Sequence, residues 1–262
     1  MTKQQTFGRS RPSIAYELEY RRALQKLLAE MQKDVQEELD AYFSKTANDG
    51  LLQSMVDIFK RLRQKWYKRF EKDGRNIARW LADKTKARTQ AQIARKLRQN
   101  NLPFKPNTPV DEKTVIDEII ANNVALIKSI PQYYLCEVQE AVSESFKRTG
   151  SNSQKLEQRL KTILARIDDT TKNRAQLIAR DQLQKATQQL AIVSAKEYGA
   201  TKARWIHVPG KYSSRRTHID MDGKVFDLNV GLYDSDVGRD VKPGELIYCQ
   251  CQMSILLPGF DD

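Results

Sequence analysis

Apolar residues recur at steps of three and four positions through most of the first 198 residues. The first run is Tyr16, Tyr20, Leu24, Leu27, Met31, Val35, Leu39 and Tyr42, and the second is Leu51, Met55, Ile58, Leu62 and Trp66. Because an α-helix has 3.6 residues per turn, such runs line one face of a long helix and bury it. This spacing predicts that the chain is helical up to Tyr198.

Breaks in the pattern predict where helices end. Asn48-Asp49-Gly50 ends the first run, and Gly74 marks either a bend or a division into two helices. The stretch 100–109 contains three prolines and three asparagines and predicts a linker, with Thr108 capping a new helix that has Pro109 at its first position. A second restart is predicted at Pro131.

The last helical stretches precede a change in composition. Ser151 or Ser153 starts a short helix, and a longer helix runs from Thr171 to Tyr198 and stops at Gly199. Beyond it, strands are predicted at residues 205–208, 224–228 and 253–257, with a turn at Asp222-Gly223. The expected fold is mainly α with a C-terminal α+β unit, divided into a basic helical region 1–105, a helical region 106–170 and a C-terminal domain 171–262.

Positive charge is concentrated in one part of the chain. The net charge of +12 is carried entirely by residues 1–105, which hold 24 Lys and Arg against 12 Asp and Glu. Residues 60–98 alone contain 15 basic and three acidic side chains. A solvated helix face usually mixes the two signs, so this excess predicts an anionic partner.

Double-stranded DNA, bound through its phosphates without sequence readout, is the partner that this charge favours. An acidic patch on another protein would suit the same charges. Trp66 and Phe70 lie among them, but their periodicity assigns them to the core. The candidate DNA-binding residues are Lys60, Arg61, Arg63, Lys65, Lys68, Arg69, Lys72, Arg75 and Arg79.

Other sequence features exclude several protein classes. No apolar run approaches the length of a membrane span, and the N-terminus lacks the apolar stretch of a secretory signal, so no membrane contact is expected. Three cysteines, two of them at Cys249 and Cys251, do not make a disulfide framework for 262 residues. Reduced thiols and a cytoplasmic site of synthesis are expected.

An ordered series of short motifs closes the chain. It runs Arg180-Asp181, Trp205, Arg215-Arg216-Thr217-His218, Asp222-Gly223, Pro243-Gly244-Glu245 and Cys249-Gln250-Cys251. This order resembles the phage Mu F-like head morphogenesis family over roughly residues 170–258. Two departures are visible: Ser213-Ser214 replaces an acidic residue before the arginines, and Gln250 replaces the arginine of the usual Asn-Cys-Arg-Cys.

The resemblance implies a minor capsid protein of a tailed bacteriophage. Such proteins are present in few copies, associate with the portal and the inner shell, and are implicated in head assembly and in DNA packaging or ejection. The expected partners are therefore the portal protein, the major capsid or scaffold protein and double-stranded DNA. The expected location is the capsid interior near the portal vertex, after assembly in the host cytoplasm. The motif residues carried over in a structural role are Arg180, Trp205, Arg216, His218, Asp222, Gly223, Cys249 and Cys251.

The same motifs contain residue types that bind metals. His207, His218, Cys249 and Cys251 are zinc-type donors, but cysteines at i and i+2 of a regular strand lie too far apart for one ion unless the backbone turns between them. Small buried cysteines explain the pattern as well, so we expect no cofactor and no essential metal, with His218, Cys249 and Cys251 as the candidate ligands if one binds.

His218, Asp220 and Asp222 could hold a hard cation, although Asp222-Gly223 is also an ordinary turn. The sequence contains no nucleophile–base pair and no phosphate loop, so it does not predict an enzyme. Two alternatives stay open: a cytoplasmic metal-dependent nucleic-acid enzyme and a free DNA-binding protein.

Overall fold

The computed structural model describes residues 6–45, 51–102, 111–149, 153–209 and 214–258. Its helices are α1 (Ile14–Lys45), α2 (Leu51–Gln99), α3 (Glu112–Thr149), α4 (Ser153–Lys196) and the short α5 (Arg216–Asp220). Its strands are β1 (Thr6–Arg9), β2 (Lys202–Ile206), β3 (Val225–Asp227), β4 (Leu232–Asp234), β5 (Arg239–Val241) and β6 (Gln252–Leu256). The mainly α fold with a C-terminal α+β unit is confirmed.

Contacts divide the chain into two compact units. The helical unit comprises Glu19–Ala78 and Ala121–Ala179, and the sheet unit comprises Met1–Leu18, Arg79–Ile120 and Arg180–Asp262. Each unit is assembled from segments that are distant in sequence. The division into regions 1–105, 106–170 and 171–262 stays a prediction.

Gly74 lies inside a continuous helix and does not divide it, since α2 runs unbroken through it. A Cβ atom at this position would lie 2.9 Å from Cγ2 of Ile127, which is closer than real Cβ contacts. The residue is therefore glycine because α2 and α3 approach each other here within the helical unit.

The predicted restart at Pro131 is wrong, because α3 continues through the proline. A proline in a helix interior costs about 3 kcal/mol, since it removes one hydrogen bond and crowds the carbonyl four residues earlier. Ile127, Ile130, Tyr134 and Leu135 on either side are each at most 2% exposed. Their burial outweighs the local cost and keeps the two halves in one helix.

The predicted separate helices before and after Thr171 also form one helix, α4. The hydroxyl of Thr171 donates to the carbonyl oxygen of Ile167 at 2.7 Å, and that of Thr170 donates to Arg166 at 2.9 Å. Threonine thus bonds back into the preceding turn and does not cap a new helix. At the other end, Gly199 adopts a φ of +82°, as predicted for a helix stop.

Three sequence predictions fall outside the described residues. They are the break at Asn48-Asp49-Gly50, the helix start at Thr108-Pro109 and the alternative start at Ser151.

The sheet unit is built on four antiparallel strands in the order β1-β6-β2-β3. In β2, Ala203 and Trp205 are fully buried and pair with Ile255 and Met253 of β6. Ile93 and Leu97 from the end of α2, and Ala191 and Ala195 from the end of α4, belong to the same core cluster. The sheet therefore packs against the C-terminal ends of two long helices.

The N-terminal strand β1 and the β4–β5 hairpin were not predicted from the sequence. β1 pairs with β6 at Thr6↔Leu256 and Arg9↔Ser254, which completes one edge of the sheet. Directly after it, the hydroxyl of Ser10 donates to Oε1 of Gln188 at 2.5 Å and accepts from the backbone N–H of Met253 at 3.2 Å. Ser10 thereby joins β1, α4 and β6.

We expect Ser10→Ala to destabilise the sheet unit by about 1 to 3 kcal/mol, because it leaves the buried side chain of Gln188 and the N–H of Met253 short of a partner. Urea unfolding monitored with hydrogen exchange at β6 measures the loss. Ser44→Ala is the control, since Ser44 is exposed and should change stability by less than about 0.5 kcal/mol. Equal effects of the two substitutions would contradict the prediction.

Candidate functional site

A buried histidine lies at the centre of the sheet unit's C-terminal loops. His218 is carried by α5 and is 2% exposed. Its Nε2 lies 3.1 Å from Oδ2 of Asp234, a fully buried carboxylate at the end of β4. The ring of Trp205 packs edge-on against the imidazole, with the ring centroids 5.2 Å apart. These contacts fix the position and the orientation of the ring.

Two cysteines face the other nitrogen of that ring. Nδ1 of His218 lies 3.4 Å from Sγ of Cys249 and 3.7 Å from Sγ of Cys251. Sγ of Cys251 also lies 3.6 Å from Nδ1 of His207, which directly follows β2. The donor atoms of His218, Cys249 and Cys251 all lie within 4.8 Å of one another, and within the described ranges this is the one group of three His, Cys, Asp or Glu side chains close enough to share an ion.

The cysteines lie in a loop whose shape depends on α4. The carboxylate of Asp181 accepts from the backbone N–H of Tyr248 at 2.8 Å, and Nε of Arg180 donates to Oε1 of Gln250 at 3.1 Å. Nε2 of Gln184 donates to the carbonyl oxygen of Cys251 at 2.5 Å. Three polar side chains within about one turn of one helix thus hold residues 248–251.

The pKa values of the two thiols are shifted in opposite directions. The hydrogen bond from Cys251 is the main reason that the pKa of Cys249 falls well below its usual value, and His218 adds to this effect. The same hydrogen bond and burial raise the pKa of Cys251. Burial acts to lower the pKa of His218, but its bond to Cys249 and the charges of Cys249 and Asp234 leave that pKa raised. The arrangement favours a thiolate at Cys249.

The structure does not assemble the set of His218, Asp220 and Asp222 that could have held a hard cation. The carboxylate of Asp220 pairs with Arg216 at 3.3 Å, and that of Asp222 accepts from the backbone N–H of His207 at 2.7 Å. Gly223 has a φ of +78° and donates to the carbonyl oxygen of Trp205. Asp222-Gly223 is therefore a turn, as predicted, and it fixes the end of β2 next to His207.

The nine candidate DNA-binding side chains on α2 are all exposed. Three of them pair with carboxylates of α1: Arg61 with Glu38 at 3.3 Å, Lys65 with Asp34 at 2.7 Å, and Arg69 with Glu30 at 3.6 Å. The other six have no acidic side chain within ion-pair distance among the residues that the structure describes. These six, whose positive charge is not compensated by such a pair, are Lys60, Arg63, Lys68, Lys72, Arg75 and Arg79.

Comparison with known proteins identifies the C-terminal region. Residues 136–254 match the family model described as phage Mu protein F like protein. This region is similar to phage Mu F-like proteins, and it is called the Mu F-like domain below. An uncharacterized protein of Haemophilus influenzae strain Rd is 28% identical over 263 residues, which cover 94% of this chain and 54% of the relative. The chain therefore spans about half the length of the curated relative it matches. No solved structure matches the chain.

The match confirms the resemblance to the phage Mu F-like family. It begins at residue 136, in the C-terminal half of α3, and so starts before the motifs that carry the resemblance. It supports a role as a phage head protein, because Mu F-like proteins form a structural head morphogenesis family. The basic part of α2 lies N-terminal to the matched segment. In the described ranges, no helix is long and apolar enough to cross a membrane.

Five of the eight motif residues of the Mu F-like domain meet in one place. Trp205, His218, Cys249 and Cys251 form the buried cluster, and Arg180 holds the cysteine loop. The other three, Arg216, Asp222 and Gly223, are exposed.

Neither departure from the family pattern replaces a residue of the buried cluster. Ser214 is partly exposed, and Ser213 lies outside the described residues. The side chain of Gln250 accepts from Arg180 and so has a partner of its own in the cysteine loop.

Asp234 and Gln184 take part in this site and were not predicted from the sequence. Asp234 lies in a short Asp-Ser-Asp segment, and its carboxylate accepts from the backbone N–H of Asp236 at 3.0 Å. Such turns are common, so the sequence signal does not distinguish this carboxylate from a surface one. Gln184 lies one helical turn after Arg180, and that spacing was the available clue.

Proposed function

We propose that the chain is a minor head protein of a tailed bacteriophage, which attaches near the portal vertex and contacts packaged DNA inside the capsid. The Mu F-like domain at residues 136–254 carries this proposal. The portal protein and the major capsid or scaffold protein are the proposed assembly partners.

The charges of α2 support DNA as a further partner. Arg61, Lys65 and Arg69 are compensated within the helical unit, so a phosphate approaching them also meets carboxylates of α1. Lys68, Lys72 and Arg75 follow one another at steps of four and three, which places them on one face of the helix. An uncompensated basic face of this kind suits the phosphates of double-stranded DNA without selecting a sequence.

We expect the protein to co-purify with phage heads in a copy number far below that of the major capsid protein, because attachment at one vertex limits the number of sites. Quantitative mass spectrometry of gradient-purified heads, normalised to the portal protein, measures this. DNase-treated heads and empty procapsids serve as the comparison that separates attachment to protein from attachment to DNA.

Recovery of the protein from the cytosol of infected cells, with none in heads, would contradict the proposal. It would favour the alternatives, a free DNA-binding protein or a nucleic-acid enzyme. Retention in empty procapsids supports a docking site on the portal or the shell.

A further inference from the structure

We propose that the Mu F-like domain binds one Zn²⁺ ion through Sγ of Cys249, Sγ of Cys251 and Nδ1 of His218, with Nδ1 of His207 as the fourth ligand. The site is independent of the role in the phage head. Three features of the structure support it: the distances between the donor atoms, the hydrogen bond that orients His218 and the position of both cysteines in a loop outside the regular strand.

The distances fit the edges of a tetrahedron around zinc. With Zn–S bonds of about 2.3 Å and Zn–N bonds of about 2.0–2.1 Å, a tetrahedral angle places sulfur and nitrogen ligands about 3.6 Å apart. The separations of Nδ1 of His218 from the two sulfurs are 3.4 and 3.7 Å, and that of Nδ1 of His207 from Cys251 is 3.6 Å. The donor atoms of His218, Cys249 and Cys251 therefore already have the spacing that the ion requires. Nδ1 of His207 has this spacing from Cys251 but lies outside that group of three, so the ring of His207 must move closer to bind the same ion.

The hydrogen bond to Asp234 presents the correct nitrogen of His218. Because Asp234 is a fully buried carboxylate 3.1 Å from Nε2, Nε2 carries the proton and donates a hydrogen bond to Oδ2 of Asp234. Nδ1 then keeps its lone pair and faces the two sulfurs. A histidine that binds a metal through one nitrogen and donates to a carboxylate through the other is the usual arrangement in zinc proteins.

The spacing of Cys249 and Cys251 is incompatible with one zinc ion on a regular strand, but the cysteines precede β6, which begins at Gln252. Tyr248 adopts a φ of +60°, and the backbone N–H of Cys249 donates to Leu246 in a turn. The backbone turns just before Cys249, and residues 249–251 lie outside the strand, so the spacing of a regular strand does not apply to them. Both sulfurs lie next to Nδ1 of His218.

Burial and charge favour zinc over an empty cluster. Cys249, Cys251 and His218 are 2–3% exposed, and an uncompensated thiolate in such a place is costly. Two thiolates and two neutral imidazoles balance the charge of a divalent ion, and sulfur with nitrogen donors in a tetrahedron select zinc among the abundant metals. With four protein ligands the site is closed, so the ion links the end of β2, α5 and the loop before β6.

The test uses the full chain, purified without chelator and analysed for metal by inductively coupled plasma mass spectrometry. We expect one zinc per chain, and we expect a strong chelator to remove it and to lower the unfolding temperature of the sheet unit. Replacing zinc with Co²⁺ should give the intense visible absorption of a tetrahedral site with thiolate ligands. This spectrum is measured on the native sequence, so it does not depend on a variant that folds.

Variants separate the ligands from other cysteines. Cys249→Ser and Cys251→Ser should abolish the cobalt spectrum, whereas Cys136→Ser should retain it, because Cys136 lies on α3 in the helical unit. Asp234→Asn acts through His218 and should weaken zinc affinity by about 10- to 100-fold with the same spectrum. A native chain that contains no zinc and gives no cobalt spectrum overturns the proposal. So does a mass two hydrogens lower, which would indicate a disulfide between Cys249 and Cys251.

Discussion

We expect the affinity of the protein for double-stranded DNA to fall roughly a thousandfold between 50 and 200 mM salt. The logarithm of affinity decreases with the logarithm of salt concentration by about 0.9 for each phosphate that Lys or Arg neutralises. About six contacts give this loss, and six of the nine candidate side chains on α2 lack an acidic partner among the described residues. Fluorescence anisotropy with DNA duplexes of two unrelated sequences measures the slope and its independence of sequence.

The triple substitution Lys68→Gln, Lys72→Gln and Arg75→Gln should remove about half of these contacts. The slope then falls to about −2.7, and the affinity of the variant should drop only about fortyfold over the same salt range. The three positions are exposed, so folding should not change. Circular dichroism and the unfolding temperature check this.

A second triple substitution, Arg61→Gln, Lys65→Gln and Arg69→Gln, is the matched control. It removes the same charge from the same helix, but from side chains that are paired with Glu38, Asp34 and Glu30. We expect the salt slope of this variant to stay close to that of the native chain. If both triple substitutions flatten the salt slope equally, DNA binding depends on the net charge of the helix and not on the face that carries Lys68, Lys72 and Arg75. If neither changes it, the basic face serves a protein partner.

The long helices could be predicted from the sequence because their apolar residues recur with the helical period. Tyr20, Leu24, Met31 and Leu39 of the first run are all buried, and Trp66 and Phe70 belong to the core as predicted. The ends of the helices were less predictable. Pro131 and Thr171 each carry a local signal for a helix boundary. Burial of the neighbouring side chains keeps the helix continuous at Pro131, and a side-chain hydrogen bond does so at Thr171. Local preferences and long-range packing disagreed at these two positions.

The sheet and the histidine–cysteine cluster required contacts between residues that are distant in the sequence. β1 belongs to the sheet only because it pairs with β6 near the other end of the chain. The motifs around His218, Cys249 and Cys251 were visible, but the turn before Cys249 and the carboxylate of Asp234 were not. The spacing of two cysteines on a regular strand argues against the metal site that we propose, and the sequence did not show that both cysteines precede β6 in a loop.

We expect Gly231→Ala to destabilise the sheet unit by about 3 kcal/mol or more, because two independent costs coincide at this residue. Gly231 has a φ of +104°, a conformation that disfavours any residue with a Cβ atom. A Cβ atom there would lie 2.4 Å from the carbonyl oxygen of Val241, a backbone atom of the paired strand β5. Relief of that overlap requires β4 and β5 to separate.

Gly238→Ala in the same hairpin is the matched control. Gly238 has a φ of +70°, but no atom lies within 4 Å of the place that a Cβ atom would take, so only the backbone cost of about 1 kcal/mol applies. Chemical denaturation of both variants measures the difference, and values within about 0.5 kcal/mol of each other would contradict a steric overlap at Gly231. Because Asp234 ends β4 shortly after Gly231, the overlap should also disturb its bond to His218. Exchange of the imidazole N–H proton of His218, followed by NMR, should therefore accelerate in Gly231→Ala and not in Gly238→Ala.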